Sequence, residues 1–233
     1  MLERLKHLII RESSSDEKAK KRTLEHPAFK EQWEINFAVI IIAGESGTGK
    51  TTLAEFFGQI YKIPDERNIK VGQIIRGLQE KPKEENFIER PIALDQQVDN
   101  LQRDIIAEKA AVTNPYIIEG KLAGVIAKEE KDKNPQLMKI SILLTAPDDI
   151  AYDRIRRRRP DLSRKEVARQ TRERAEKDLA QWTQAHPQLS GTNPYNTKFY
   201  DLVINTDGKS VEQVFDEAHK YFLEKEHVKR KTF

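Results

Sequence analysis

The feature that most constrains this chain is a short apolar run that ends on a glycine loop. Phe37-Ala38-Val39-Ile40-Ile41-Ile42-Ala43 is continuous, apolar and largely β-branched, the composition of a strand buried on both faces of a sheet. Gly44-Glu45-Ser46-Gly47-Thr48-Gly49-Lys50-Thr51 follows at once and meets every fixed position of the phosphate-loop pattern. From Thr51 to Tyr61 the residues Leu53, Phe56, Phe57 and Ile60 recur on one side of a helix. Glycines let backbone N–H groups turn inward around phosphate oxygens, and the helix start adds partial positive charge. Lys50 then reaches the β- and γ-phosphates while the Thr51 hydroxyl holds Mg²⁺. Strand, loop and helix in this order predict a bound nucleoside triphosphate on Gly44 to Thr52.

The rest of the chain repeats the alternation of strand and helix. Further strands are expected at 68–72, at 115–118 ending on Glu119-Gly120, at 138–145 and at 201–205. Helices are expected after Gly72, over about 93–111, and near the end with Val211, Val214, Phe215, Ala218 and Phe222 on one face. In the helix over 93–111, Leu94, Val98, Leu101 and Ile105 form an apolar stripe beside a polar row of Asp95, Asp99 and Gln102. Such an order argues for an α/β fold with a core five-stranded parallel sheet covered on both faces. Glu119 stands at the carboxyl end of a strand, where open α/β sheets place ligand chemistry; its other reading is a strand-terminating surface charge. Residues 1–35 read as an amino-terminal helical extension in which Phe29, Trp33 and Phe37 share a second short helix, and residues 36–233 read as one domain.

Charged residues make up 34% of 233, and no apolar run approaches the length that crosses a bilayer. The first residues lack the apolar core and cleavage site of a secretory signal. There is no cysteine, which removes disulfides, thiolate metal sites and cysteine nucleophiles. A cytoplasmic monomer with no membrane partner is the expectation. Net charge is +3, yet Arg154 to Arg174 holds ten basic against three acidic residues. That local excess of +7 leaves −4 on the remainder, so basicity is a local device.

A phosphate loop serves GTPases, motors and small kinases alike. Neither Asn-Lys-x-Asp, the guanine reader, nor the switch element Asp-x-x-Gly occurs, which leaves a compact kinase. Transfer of a phosphoryl group needs preorganised positive charge in a water-poor site. Arg154 and Arg158 share a helix face by their spacing, as do Arg174 and Asp178. Two helical arms joined around Arg159 to Ser163, spanning about 152–182, make a hinged lid, and Ser163 with Glu166 has the capping-box spacing for its second arm. The run Arg156 to Arg159 has two other readings, a solvated helix face and a nucleic-acid patch. The second lacks the aromatic or glycine interleaving that stacks bases, and no nucleic-acid partner is expected.

From about Ala38 to Phe222 the chain resembles the cytidylate kinases, P-loop nucleoside monophosphate kinases, and in particular their compact archaeal type that takes CMP or dCMP. The resemblance rests on Gly44 to Thr52, Val71 to Arg76, Leu94-Asp95 to Gln102, Ile118 to Gly124, Arg172 to Arg174 with Asp178, and Tyr200 to Thr206. It implies an ATP and Mg²⁺ site at the phosphate loop, a nucleoside monophosphate site and a mobile lid. Arg76 would hold the acceptor's phosphate, Asp95 would lie on the acceptor side, and Glu119 to Lys121 would line the acceptor pocket near the metal. Lys50, Arg154, Arg158 and Arg174 would be the catalytic cations, and Asp178 would contact the acceptor's sugar or order Arg174. The segment after Asn205 would pass near adenine.

The chain departs from that pattern at Lys121, at Gln96, Asn100 and Leu101 of the acceptor-side helix, and at Gln181, where the family usually carries arginine. An ammonium at 121 gives up the forked contact of a guanidinium. Two alternatives therefore stand beside phosphorylation of CMP or dCMP: a P-loop kinase for another small acceptor, and a nucleotide-binding regulatory module with weak or no transfer.

Overall fold

The computed structural model describes residues 25–78, 91–187 and 190–231. A 3-10 turn, Pro27–Lys30, leads to strand β1, Trp33–Ile35, and then β2, Val39–Gly44. After the phosphate loop come α1 (Lys50–Ile60), β3 (Asn68–Lys70) and α2 (Val71–Leu78). Helix α3 (Ile92–Asp104) precedes β4 (Tyr116–Glu119), α4 (Ala123–Lys133) and β5 (Lys139–Thr145). Helices α5 (Asp148–Arg158) and α6 (Arg164–Ala185) form a hairpin; β6 (Leu202–Asn205), α7 (Val211–Glu224) and β7 (Val228–Arg230) complete the order.

The expected five-stranded sheet is present in the order β3-β4-β2-β5-β6, with every neighbouring pair parallel. The run that suggested a doubly covered strand is its centre: all six residues of β2 are buried. Ile40 and Ile42 face a core with Leu53, Phe57, Phe215 and Phe222 from α1 and α7. Val39 and Ile41 face the other layer, with Ile74, Val98, Ile126 and their neighbours from α2, α3 and α4. Each fully buried side chain of this size contributes about 1.5–3 kcal/mol by leaving water. Phe57 stacks on Phe222 with ring centroids 5.4 Å apart, which binds α1 to α7 behind the phosphate loop.

Three local expectations change. Phe29, Trp33 and Phe37 do not share a helix. Residues 33–35 are a strand that pairs antiparallel with β7, Trp33 opposite Arg230 and Ile35 opposite Val228. The four-residue spacing reflects aromatic contacts with the core: Phe29 and Trp33 pack against it and Phe37 is fully buried. The remainder of the proposed extension, residues 1–24, lies outside the described residues. Second, the helix expected to reach residue 111 stops at Asp104 and widens into a π turn, Ile105–Lys109, closed by Ala110 N–H donating to Ile105 O. Third, the strand expected over 68–72 ends at Lys70, because Val71 already starts α2.

The α5–α6 hairpin, expected as a lid, starts its second arm at the predicted place. Ser163 Oγ accepts from Glu166 N–H at 3.3 Å while Glu166 Oε2 accepts from Ser163 N–H at 2.9 Å, and this reciprocal cap restarts the helix. Helix α6 continues to Ala185, beyond the expected limit of 182, so it is long enough to travel from the lid back to α3. Among the described residues no helix is long and apolar enough to cross a membrane.

Candidate active site

The loop between β2 and α1 is shaped by glycines that no other residue replaces. Gly44 has φ +144° and a Cβ there would stand 2.3 Å from the Leu144 carbonyl oxygen. Gly47 has φ +84° and a Cβ would meet the Ala151 carbonyl oxygen at 2.6 Å. The loop is thus pressed between β5 and the first turns of α5. Buried Thr48 donates its hydroxyl to Glu45 O at 2.9 Å, and Lys50 Nζ donates to the same oxygen at 2.7 Å. Helix α1 begins after Gly49 with no side-chain cap, and a helix start of this kind suits an anion. Ser46 is half-buried at the loop's crest and Thr52 is exposed on α1.

Electrostatics mark this spot. The Lys50 ammonium is lowered to about 8, chiefly by burial, with Glu119 opposing the shift and Lys121, Arg174 and Arg158 adding to it. Cations from the phosphate loop, the end of β4, α5 and α6 therefore converge. Such an arrangement is costly in a protein with nothing anionic to receive it. It matches the charge of a polyphosphate.

Thr51 and Glu119 meet in the same place. Thr51 Oγ1 donates to Glu119 Oε2 at 2.8 Å, and Glu119 is almost wholly buried at the carboxyl end of β4, in register with Ile42. A hydroxyl and a carboxylate beside a phosphate loop are hard oxygen donors of the kind Mg²⁺ takes. The residues present fit that ion.

Residues that the resemblance places at the acceptor are linked to α6. Lys121 Nζ makes an ion pair with Asp178 Oδ2, and Arg174 Nε stands 3.8 Å from the same oxygen. Asp178 therefore lies within ion-pair distance of both Lys121 and Arg174. Asp95 is buried in the first turn of α3. Arg76 belongs to α2 by its backbone, and its side chain lies outside what is described.

Arg154 is placed apart from the other lid arginines. Its guanidinium donates to Thr206 O at 2.6 Å, to Thr206 Oγ1 at 2.8 Å and to Gly47 O at 3.3 Å, so it ties α5 to the phosphate loop and to the turn after β6. Arg158 stands exposed in the last turn of α5, in electrostatic reach of Lys50. Arg156 and Arg157 are exposed beside it, and Arg159 pairs with Asp161 at 3.2 Å.

Two side chains escape the sequence reading. Tyr195 lies near Glu45, Tyr200, Asp178 and Arg174, and burial raises its hydroxyl well above the usual range, with Glu45, Tyr200 and Asp178 adding to the rise. Tyr200 donates to Pro194 O at 2.7 Å and lies against Gly124, where a Cβ would come within 2.3 Å of its ring. The Gly124-to-Tyr200 match is legible in hindsight as a small residue opposite an aromatic one. Tyr195 sits in a loop without periodicity and carries no such signal. Gln96 and Asn100, the substituted positions on α3, line a groove of about 630 Å³ with Arg103, Glu129, Lys133 and His186. No phosphate-loop residue belongs to that groove.

Comparison with known proteins agrees with this geometry. A family model described as AAA domain matches residues 40–178, from the centre of β2 into α6. The cytidylate kinase of Methanopyrus kandleri is 28% identical over 179 residues, 76% of this chain and 89% of that protein. Among solved structures, a gluconokinase from Sinorhizobium meliloti 1021 superposes with a TM-score of 0.55 at 12% identity, covering 82% of this chain and 94% of that one. A shikimate kinase from Bacteroides thetaiotaomicron gives 0.50 at 19% identity, covering 80% and 98%. These two likenesses speak for the fold.

Proposed function

Since this chain belongs to the AAA domain family, we propose that it is an ATP-dependent phosphotransferase acting on a nucleoside monophosphate, with CMP and dCMP the first candidates. The observation that carries the reading is the buried Lys50 surrounded by Lys121, Arg158 and Arg174. The candidate acceptor comes from the likeness to cytidylate kinases. That likeness covers three-quarters of the chain.

Gly44 to Thr52 would wrap the donor's phosphates. An acceptor phosphate oxygen attacks the γ-phosphorus in line; the new P–O bond forms as the bond to the β-phosphate oxygen breaks, and ADP leaves. The acceptor phosphate is already anionic at neutral pH, so no general base is required of the chain. Lys50, Arg158 and Arg174 face the charge that builds on the transferring group, where fixed cations in a water-poor site are most effective. Arg154 holds the loop against the turn after β6, and Asp178 keeps Arg174 and Lys121 in place. Thr51 and Glu119 would hold Mg²⁺, which neutralises β- and γ-oxygens when bound with the triphosphate.

A second reading, a kinase for another small acceptor, is favoured by the engagement of Lys121 with Asp178, which takes up the two groups that the resemblance assigns to the acceptor. The test is an ADP-release assay across CMP, dCMP, UMP, AMP and GMP. Turnover highest with CMP or dCMP is expected. Activity with none of the five would overturn the nucleotide acceptor, and ATP binding without any transfer would support the regulatory-module alternative.

A further inference from the structure

The two arms of the lid hairpin are rooted in different halves of the molecule. Helix α5 is fixed to the donor side through Arg154, which holds Gly47 and Thr206. Helix α6 is fixed at its far end to α3. There His186, at the C-cap of α6, meets Asp99 of α3 with Nε2 to Oδ2 at 2.6 Å, and both residues are buried. Gln102 Nε2 donates to the other Asp99 oxygen at 3.0 Å, and Gln96 Nε2 donates to Ala185 O at 3.3 Å. Trp182 and Ala185, in the last turn of α6, are buried as well.

This junction is polar where an apolar one would be more stable. Burial pushes the Asp99 carboxyl up and Asp95 adds to that, while His186 and Arg103 pull it back. Gln102 Oε1 is buried without a hydrogen-bond partner among the described residues. Well-packed apolar side chains commonly stabilise such a contact at least as well as a buried ion pair. A directional His–Asp bond supplies registry instead, because it fixes which turn of one helix faces which turn of the other. Along α6 from His186 lie Asp178, two turns away, and Arg174, one turn further. Along α3, Asp95 stands one turn before Asp99.

We propose that the buried His186–Asp99 pair is a positioning clamp that registers the lid helix α6 on α3, so that Asp95, Asp178 and Arg174 are presented together to the acceptor. The clamp acts through those residues and touches neither substrate. Because the donor side is held separately by Arg154, loss of the clamp loosens the acceptor half while the ATP half stays formed.

The kinetic part of the test rests on the phosphotransfer reading, and the exchange part does not. With a nucleoside monophosphate turned over by the wild type, His186→Ala is expected to raise the acceptor KM about tenfold while the ATP KM stays within about twofold and kcat falls by less than about threefold. His186→Gln, whose amide still donates to Asp99, is expected to restore the acceptor KM to within about twofold of wild type. Should the alanine variant not fold, His186→Asn, with an amide too short to span the gap, takes its place. Hydrogen exchange read by mass spectrometry is expected to show about tenfold faster exchange in residues 92–104 and 176–185, with residues 148–158 unchanged. A parallel rise of both KM values, or unchanged exchange in residues 92–104, would overturn the clamp. A wild type inactive on every acceptor overturns the phosphotransfer reading and leaves the exchange result to decide the clamp.

Discussion

Replacing Lys50 by Met is expected to stabilise the protein while removing its chemistry. In the folded chain the ammonium is lowered from 10.5 to about 8, chiefly by burial, which Glu119 opposes and Lys121, Arg174 and Arg158 reinforce. At 1.36 kcal/mol per pH decade that difference is a penalty of roughly 3 kcal/mol on the charged form below pH 8. Methionine keeps most of the side chain's length and loses the hydrogen bond to Glu45 O, worth about 1 kcal/mol. The net gain is about 2 kcal/mol, or about 4–8 °C in Tm for a chain of this size. The sign with pH follows from the same values. Between about 8 and 10.5 the unfolded wild type binds more protons than the folded, so its stability rises with pH across that window. The advantage of the Met variant is therefore full near pH 7, shrinks across the window, and near 10.5 has turned into a small deficit, the lost hydrogen bond. Calorimetry of both proteins without nucleotide at pH 7, 9 and 10.5 measures this, and transfer by the variant should fall by about 10²–10³-fold. A Met variant that melts below the wild type at pH 7, or a difference that ignores pH, would refute the idea that burial holds the loop lysine's charge at a cost.

Gly47→Ala places a Cβ 2.6 Å from Ala151 O at φ +84°; it should cost about 1–3 kcal/mol and weaken ATP binding, read by melting and nucleotide titration. Thr51→Val removes the donor to Glu119, 2.8 Å away, and the Mg²⁺ concentration giving half-maximal activity should rise about 10–100-fold. Phe57→Ala empties a site filled by Phe222, Phe215 and Tyr61 rings and should lower unfolding free energy by about 3–5 kcal/mol in denaturant titration.

Elements whose pattern is set by burial were legible from the residues alone. The β2 run and the stripes of α1 and α7 announce their faces because each packs one side against a sheet. The polar row of Asp95, Asp99 and Gln102 was visible as a row, but its burial was not, since that depends on His186 arriving from α6 almost ninety residues later. The spacing of Phe29, Trp33 and Phe37 satisfied a helix and a turn followed by a strand equally well. Pairing with Val228–Arg230 decided between them, and pairing partners leave no mark in a local window. At the site, Lys50, Thr51 and Glu119 were found because a motif or a strand end located them. Arg154's attachment to Thr206 and Tyr195's approach to Asp178 arise from loops, whose paths local periodicity does not encode.

The small β1–β7 ribbon also sets a schedule for synthesis. Trp33 to Ile35 leave the ribosome early, yet the residues they pair with are made roughly two hundred positions later. At about 5–20 residues per second that is a wait of roughly 10–40 s. Until then Trp33 also lacks His219 of α7, its edge-to-face partner at 4.4 Å. Ribosome-bound chains halted before α7 would carry an uncovered indole at Trp33, and with Trp182→Phe leaving it the sole tryptophan, its fluorescence would report the moment at which the last helix and strand close over it.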